Sequence, residues 1–347
     1  MMKKQIVVWF VFYSLFTGIA YGQQGINPIA HESFNKASLA FEDKKYDQAI
    51  EEYKKAIEIS PQFVQARINL GYTYIVKGEN DKAEEQFLEV VKVDDLAHQP
   101  LYELALIAEI KDSFELSISY LTQAIERKND EAKYHYQRGI QYYKTQKYEE
   151  AITDFTKAIA LNSDLTDAYN DRGSAHKKLG NAKQAVEDYT RATRSKDKAA
   201  MAYNNLATLY RENKEYDKAI EAYSQSIVHQ KDNYLALNNR GYAKYEKGDY
   251  AGAILDFERV IEMKPDYVIA YTNLAGVYLA QENYEEAIKT CNKAIQVDGN
   301  FASAYYNRGI ANENLRNEAE ACEDWTKAAD LGIQVAAEYY TTSGCGK

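Results

Sequence analysis

A block of 34 residues recurs nine times along residues 30–335 without an insertion. In the copy that spans residues 234–267, the small residues Gly241 and Ala253 allow two backbones to approach, and apolar residues recur at helical spacing over residues 250–261. Each copy therefore predicts a pair of amphipathic helices. One pair alone cannot bury its apolar face, so each copy must pack against its neighbours.

The characteristic residues of this copy recur in the same register in all nine copies. The residue aligned with Gly241 is always glycine or alanine, and the residue aligned with Ala253 is alanine except for Ser117 in the third copy. The residue aligned with Phe257 is aromatic except for Leu121 and Cys291. This pattern of small, small and aromatic residues resembles the tetratricopeptide repeat family. The resemblance implies an all-α, right-handed superhelical solenoid of nine helix-turn-helix repeats, closed by a short C-terminal capping helix.

The repeat register divides the chain into segments. Residues 23–29 form an N-terminal arm, and residues 336–347 form a capping helix over 336–340 followed by a frayed tail. We expect one elongated domain, because each repeat of a solenoid packs only on its neighbours. The nine repeats occupy residues 30–63, 64–97, 98–131, 132–165, 166–199, 200–233, 234–267, 268–301 and 302–335.

Residues 1–22 have the features of a secretory signal peptide. Lys3 and Lys4 precede an apolar run over residues 6–16, and a small-x-small site ends at Gly22. We expect cleavage after Gly22 and an exported protein, periplasmic or secreted. The alternative is an uncleaved membrane anchor, although the run is shorter than the roughly 20 apolar residues that span a bilayer.

The composition, 46% hydrophobic and 27% charged, is ordinary for a soluble chain. Residues 1–22 contain two lysines and no acidic residue, so their removal takes the formal net charge from −10 to −12. An acidic surface without a Lys/Arg block repels phosphate backbones, which argues against nucleic-acid binding.

The three cysteines are Cys291, Cys322 and Cys345, and no two have the spacing of a metal or redox motif. Cys291 holds the aromatic position of repeat eight and is interpreted as a small buried hydrophobe. For Cys322 and Cys345 we favour free thiols. The alternative is a disulfide between them, which requires the C-terminal tail to fold back on the last helix.

Four repeats share an arginine and an aspartate sixteen residues apart. The arginine precedes the small residue of the first helix, and the aspartate lies in the second helix; the other five repeats lack both. We interpret the pairs as ion pairs between the two helices of a repeat. The alternative is recent duplication of one subtype, in which the two residues travel together without contact. The pairs are Arg138 with Asp154, Arg172 with Asp188, Arg240 with Asp256, and Arg308 with Asp324.

The family resemblance also indicates where a ligand would bind. In the family, the first helix of each repeat lines a concave groove, and the sixth residue of the repeat points into it. Here asparagine occupies that position in six repeats, at Asn35, Asn69, Asn205, Asn239, Asn273 and Asn307. Such a row resembles the asparagine ladder with which some members bind the main chain of an extended peptide. The alternative is a structural role in which the amides cap or solvate neighbouring helices.

Tyrosines surround this row. Exposed, they would favour a binding surface, whereas buried in the repeat interfaces they would belong to the core. They are Tyr72, Tyr102, Tyr136, Tyr143, Tyr242, Tyr245 and Tyr306.

The sequence predicts no catalytic residues, cofactor or metal. The five histidines are scattered, and the chain has neither a phosphate-binding loop nor a nucleophile elbow. We expect a monomeric, non-enzymatic scaffold that binds a protein or peptide partner. The alternatives are a self-associating structural component of the cell envelope and an enzyme whose site is assembled across repeats.

Overall fold

The structure is a computed structural model that describes residues 25–195, 197–342 and 345. Within these residues the chain forms 19 α-helices and no strand, so the predicted all-α fold of helical repeats is confirmed. The predicted signal peptide, residues 1–22, lies outside the described residues. None of the helices in the described part of the chain has the length and apolar character needed to cross a membrane.

By internal contacts the helices form two compact units, residues 1–168 and 169–347. In the first unit each helix packs on the next one along the chain. Its helices are α1 (Pro28–Glu42), α2 (Tyr46–Ile59), α3 (Val64–Lys77), α4 (Asn80–Val93), α5 (His98–Ile110), α6 (Phe114–Arg127), α7 (Ala132–Lys144) and α8 (Tyr148–Leu161).

The second unit repeats this arrangement, and in it the first helices of successive repeats, α11, α13, α15 and α17, also touch one another. We call the first helix of each repeat its inner helix. The helices are α9 (Thr166–Lys178), which begins at the end of the first unit, α10 (Ala182–Ala192), α11 (Ala199–Glu212), α12 (Tyr216–His229), α13 (Tyr234–Lys247), α14 (Tyr250–Met263), α15 (Val268–Ala280), α16 (Tyr284–Val297), α17 (Ala302–Asn314), α18 (Glu318–Asp330) and α19 (Gln334–Thr342).

In the five repeats that have glycine at this position of the inner helix, the glycine lies under the bulky residue of the second helix. A Cβ atom on Gly309 would lie 2.6 Å from the indole nitrogen of Trp325, and one on Gly241 would lie 2.9 Å from the Phe257 ring. Both rings are fully buried. The small residue and the bulky residue, which recur in register, are therefore the two sides of one close helix contact. A larger residue on the inner helix would push the helices apart.

The four arginine–aspartate pairs join the two helices of their own repeats. The shortest nitrogen–oxygen distances are 2.7 Å for Arg138–Asp154, Arg172–Asp188 and Arg240–Asp256, and 2.6 Å for Arg308–Asp324. All four carboxylates are buried. Each pair is bidentate, which fixes the guanidinium plane as well as the distance.

The arginines also contact the preceding repeat, which the sequence did not indicate. Arg138 donates to the Thr122 hydroxyl and Arg240 to the Ser224 hydroxyl, both at 3.0 Å. Arg308 donates to the Asn292 side chain. These acceptors lie sixteen residues before the arginine, on the second helix of the preceding repeat, so one arginine connects three helices.

The first and last helices have different boundaries from those predicted from the sequence. The arm was predicted to extend to residue 29, but α1 begins at Pro28, where proline fits the first turn and Asn27 caps the helix by accepting from the Ile29 N–H at 2.9 Å. The capping helix α19 is longer than predicted and includes Thr341, which had been assigned to the frayed tail.

The preference for free thiols at Cys322 and Cys345 was wrong, because the two form a disulfide with a Cα–Cα distance of 5.6 Å. The tail returns to α18 because Tyr339 of α19 packs on the Trp325 ring, with ring centroids 5.5 Å apart. Cys291 is a buried free thiol, and burial raises its pKa to about 12.

Candidate functional site

Three of the four asparagines in the second unit are hydrogen-bonded to the preceding inner helix. The Asn205 amide donates to Asn170 Oδ1 at 2.9 Å, and the Asn273 amide donates to Asn238 Oδ1 at 3.1 Å. Asn307 follows the same pattern and donates to the Thr272 carbonyl at 3.2 Å. The acceptor lies 35 residues earlier each time. The Nδ2 atoms therefore form hydrogen bonds between successive repeats, which supports the structural interpretation of the row.

These bonds leave the other half of each amide unused. Among the described residues, Oδ1 of Asn205, Asn273 and Asn307 accepts no hydrogen bond, and none of these oxygens is buried. An oriented amide whose nitrogen is fixed and whose oxygen is accessible can accept from the N–H of a bound main chain. The row therefore combines a structural role with an open set of acceptors.

Asn239 breaks the pattern at the centre of the row. By analogy it should donate to Asn204, but the described residues provide no hydrogen bond to its side chain, and Asn204 Oδ1 is buried without a partner. Asn239 is half-buried on α13. Its amide keeps both donors and acceptor available, which makes repeat seven the most open hydrogen-bonding point of the row.

The two asparagines in the first unit differ from one another. Asn35 is exposed on α1 and has no hydrogen-bond partner in the described part of the chain. Asn69 accepts from Gln65 at 2.8 Å and donates to the Tyr53 hydroxyl at 3.3 Å, so its amide is occupied on both sides. The first unit therefore does not continue the row of open acceptors.

Repeat three has a carboxyl group where other repeats have asparagine. Glu103 is half-buried on α5, and its Oε1 accepts from the Tyr72 hydroxyl at 3.1 Å. The Tyr72 oxygen in turn accepts from Gln99 at 2.9 Å. Burial raises the pKa of Glu103 from 4.5 to about 7. In repeat four, Gln137 at this position donates to Glu109. Glu103 is thus the one acid among the sixth residues of repeats one to four, and the other three are amides.

The seven predicted tyrosines are all half-buried, so neither interpretation of them holds in full. Tyr102, for example, packs against the Tyr134 ring with centroids 5.2 Å apart. Each ring lies against another aromatic ring while part of its surface stays accessible. The corresponding ring partners are Phe87 for Tyr72, Phe155 for Tyr136, Tyr148 for Tyr143, Tyr245 for Tyr242, Tyr250 for Tyr245 and Tyr339 for Tyr306.

Sequence reasoning missed an apolar row beside the asparagines. Met201, Leu235 and Ile269 are exposed to 45%, 47% and 38%. Each lies four residues before an asparagine of the row on the same inner helix, so the two side chains share one helix face. The second residue of the other repeats is polar, so comparing this position across the nine copies would have revealed the row.

Across residues 25–195, 197–342 and 345, no three or more His, Cys, Asp or Glu side chains are placed to hold a metal ion. His135 is buried and lies 3.1 Å from the Asn129 carbonyl and 3.5 Å from Asp154. It therefore belongs to the packing around the Arg138 ion pair.

Comparison with known proteins gives matches along most of the chain. A family profile described as tetratricopeptide repeat matches residues 68–132, 170–234 and 238–301, and a second, described as TPR repeat, matches residues 39–78 and 139–180. The first profile alone covers more than half of the chain. No curated protein sequence is a significant match.

Several solved structures are similar in fold. The C-terminal part of a TPR repeat-containing protein from Cytophaga hutchinsonii is 19% identical, with a TM-score of 0.58, over 68% of this chain and 98% of that one. A tetratricopeptide repeat protein from Parabacteroides merdae is 20% identical, with a TM-score of 0.52, over 72% and 98%. YrrB, described as a TPR protein with an unusual peptide-binding site, is 22% identical, with a TM-score of 0.46, over 54% and 96%.

Proposed function

The chain belongs to the tetratricopeptide repeat family, and on that premise we propose that it is a non-enzymatic scaffold whose inner helices hold an extended segment of a partner protein. Tetratricopeptide repeats generally serve as protein–protein interaction scaffolds, and their fold is typically non-catalytic. Repeat proteins of this kind act through the long surface that the stacked repeats present.

The observation that carries the proposal is the row of accessible amide oxygens in repeats six, eight and nine, together with the unbonded Asn239 in repeat seven. An extended main chain has unpaired N–H and C=O groups along its length. Side-chain amides at regular intervals can satisfy those groups without reading the side chains of the bound segment.

Affinity capture from cell-envelope extracts tests the proposal. The bait is the protein without residues 1–22, compared with a variant in which Asn205, Asn239, Asn273 and Asn307 are changed to alanine. Three of these residues also form hydrogen bonds between repeats. The single variant Asn239→Ala is therefore the more informative comparison, because it removes no internal hydrogen bond within the described residues. We expect both variants to lose the same bound proteins. Equal recovery by all three baits would dismiss the asparagine row as the binding element.

Self-association is the second candidate, and it is favoured by the exposed N-terminal face of repeat one. Leu39 is 65% exposed, whereas the equivalent residue is buried in every other repeat, for example Leu209 and Val277. A repeat face that has no partner among residues 25–195, 197–342 and 345 could pack against another copy of the chain. Light scattering at micromolar concentration separates the two candidates, because the scaffold proposal predicts the mass of a monomer. A concentration-dependent higher mass that Leu39→Glu abolishes would favour self-association.

Export completes the proposal. Lys3, Lys4 and the apolar run over residues 6–16 provide the signal, and Gln23 would become the first residue of the mature protein. Cell fractionation followed by intact-mass measurement tests this point. A full-length mass in the membrane fraction would instead identify an uncleaved anchor.

A further inference from the structure

The last helix, α19, occupies the position that the inner helix of a tenth repeat would have. Its third residue, Ala336, is fully buried, as is Ala304, the third residue of α17. The N–H of each alanine donates to the carbonyl of the residue before its helix, with nitrogen–oxygen distances of 3.1 Å to Ile333 and 3.0 Å to Phe301. Since α19 packs on α18 as α17 packs on α16, it covers the end of repeat nine.

The residues under α19 are those that receive the next repeat elsewhere in the chain. Val277, on the inner helix α15, lies in one apolar cluster with Ala253 and Phe257 on the second helix of the preceding repeat. The equivalent residues of repeat nine are Ala321 and Trp325, and both are buried in a cluster with residues of α19. We call these two residues the end face of repeat nine. Without α19, the end face is open to the inner helix of another repeat.

Repeat one presents the complementary surface. Leu39 on α1 aligns with Val277 and is 65% exposed, whereas the residue at this position is buried in each of the other eight repeats. Leu39 therefore lies on the side of an inner helix that the second helix of a preceding repeat covers elsewhere. The two surfaces are the two halves of the interface between successive repeats, so a second copy of the chain fits them.

A disulfide keeps α19 on the end face. Cys345, which follows α19, is bonded to Cys322 of α18, 23 residues earlier. Both cysteines are half-buried, so a small dithiol can reach the bond. Helix α19 has nine residues, and a helix of that length is not stable alone in water. Closing a loop of this size favours the docked helix by roughly 100-fold.

We infer that the Cys322–Cys345 disulfide is a redox switch that closes the end face of repeat nine against repeat one of a second copy of the chain. With the disulfide formed, α19 covers Trp325 and the chain is a monomer. After reduction α19 undocks, and Leu39 of a second copy packs on Trp325 in place of Tyr339. The contact joins two unlike surfaces, so it generates open chains or rings rather than a closed dimer.

The reductant is a dithiol. One of its thiolates attacks a sulfur of the protein disulfide and forms a mixed disulfide, and its second thiolate displaces that sulfur. The protein S–S bond is broken, and two electrons pass to the cysteines. Each cysteine takes up one of the two protons that the dithiol gives up, and the dithiol ends as a disulfide. The reverse exchange closes the end face again.

Hydrogen exchange tests the switch in the protein lacking residues 1–22, with and without dithiothreitol. We expect the amides of α19 to exchange about 100-fold faster after reduction, while those of α13 do not change. The double variant Cys322→Ser, Cys345→Ser should show the faster exchange without reductant. If α19 exchanges at the same rate in all three samples, the inference is overturned.

Light scattering at micromolar concentrations tests the docking of a second copy. The oxidised protein should have the mass of a monomer, whereas the reduced protein and the double serine variant should have a mass that rises with concentration. The serine variant lacks both thiols, so this rise cannot come from a cross-link between them. Adding Leu39→Glu should restore the monomer, because the contact would bury a charge without a partner. The matched control is Leu255→Glu, on α14, which should leave the association unchanged, since Leu255 is 67% exposed on a second helix.

The remaining outcomes decide against the inference. It is overturned if the reduced protein and the serine variant stay monomeric, or if Leu39→Glu and Leu255→Glu reduce the association equally. An oxidised protein that already associates through Leu39 also overturns it, and that result favours the self-associating structural component. The inference goes beyond the scaffold proposal, which is tested separately by the dependence of capture on Asn239 of α13.

Discussion

The ion pair of repeat nine allows a quantitative test of how charge is tolerated between repeat helices. The Asp324 carboxylate is 4% exposed and accepts from Arg308 Nε at 2.9 Å, from Arg308 Nη2 at 2.6 Å and from Asn312 at 3.2 Å. Repeat eight has Leu274 and Thr290 at the equivalent positions, both buried. The changes Arg308→Leu and Asp324→Thr, singly and together, therefore convert repeat nine to a pair that the same fold already contains.

The two single changes should differ in cost. Arg308→Leu leaves a buried carboxylate with Asn312 as its remaining partner, which should cost about 3–5 kcal/mol of unfolding free energy. Asp324→Thr leaves a guanidinium that is 25% exposed and can turn toward water, so about 2 kcal/mol is expected. The double variant should lie within about 1 kcal/mol of the parent, because no charge is left buried. The coupling free energy between the two sites is then about 4 kcal/mol or more.

Trp325 provides a local probe for this measurement. The chain has two tryptophans, Trp9 and Trp325, so in the protein without residues 1–22 the fluorescence arises from Trp325 alone, which is fully buried in α18. Urea unfolding followed at this residue reports repeat nine even when other repeats unfold separately. If Arg308→Leu and the double variant unfold at the same urea concentration, the ion-pair argument is refuted.

Three other predictions follow from buried groups. Gln141→Leu should raise the unfolding free energy by about 2 kcal/mol in urea denaturation, because both side-chain amide atoms are buried without a partner among the described residues; an unchanged or lower value would show an unseen partner. Glu103→Gln should become more stable relative to the parent as pH rises from about 4.5 to about 7, by about 3 kcal/mol at most, because the folded state favours the protonated carboxyl. Urea titrations at pH 5 and pH 8 check this, and a parallel pH dependence of the two proteins contradicts it. A thiol reagent should find no reactive group in the native protein, one after unfolding without reductant, namely Cys291, and three after reduction; one reactive thiol in the native state would contradict the burial of Cys291.

The helix pairs were predictable because their signals are local and repeated. The small residue and the bulky residue are two sides of one contact in the repeats with glycine, as Gly309 and Trp325 illustrate, and the sequence pattern recurs in the same register in nine copies. The arginine–aspartate pairs were predictable for a related reason. Both members change together between repeats, and the structure brings them to within hydrogen-bonding distance.

The C-terminal disulfide was not predictable in this way. The region after repeat nine has no second copy with which to compare it, and the spacing of Cys322 and Cys345 says nothing about how the tail folds. The return of the tail depends on the contact between Tyr339 and the Trp325 ring, which is a tertiary contact between α19 and α18. A pairing of cysteines that depends on one such contact has no sequence period to reveal it.

The asparagine row shows why one position can support two interpretations at once. The sequence offered a choice between a ligand-binding role and a structural role, but an amide has a donor end and an acceptor end, and the fold uses them separately. The fifth residue of the preceding repeat decides which atoms of the asparagine amide remain available to a ligand. Where it supplies an oxygen in reach, as Asn170 does for Asn205, the donor end is consumed and the acceptor end is oriented. Where that bond fails, as between Asn204 and Asn239, the whole amide remains available. The capacity of this face to bind a main chain is therefore set by contacts between repeats rather than by the identity of the asparagines themselves.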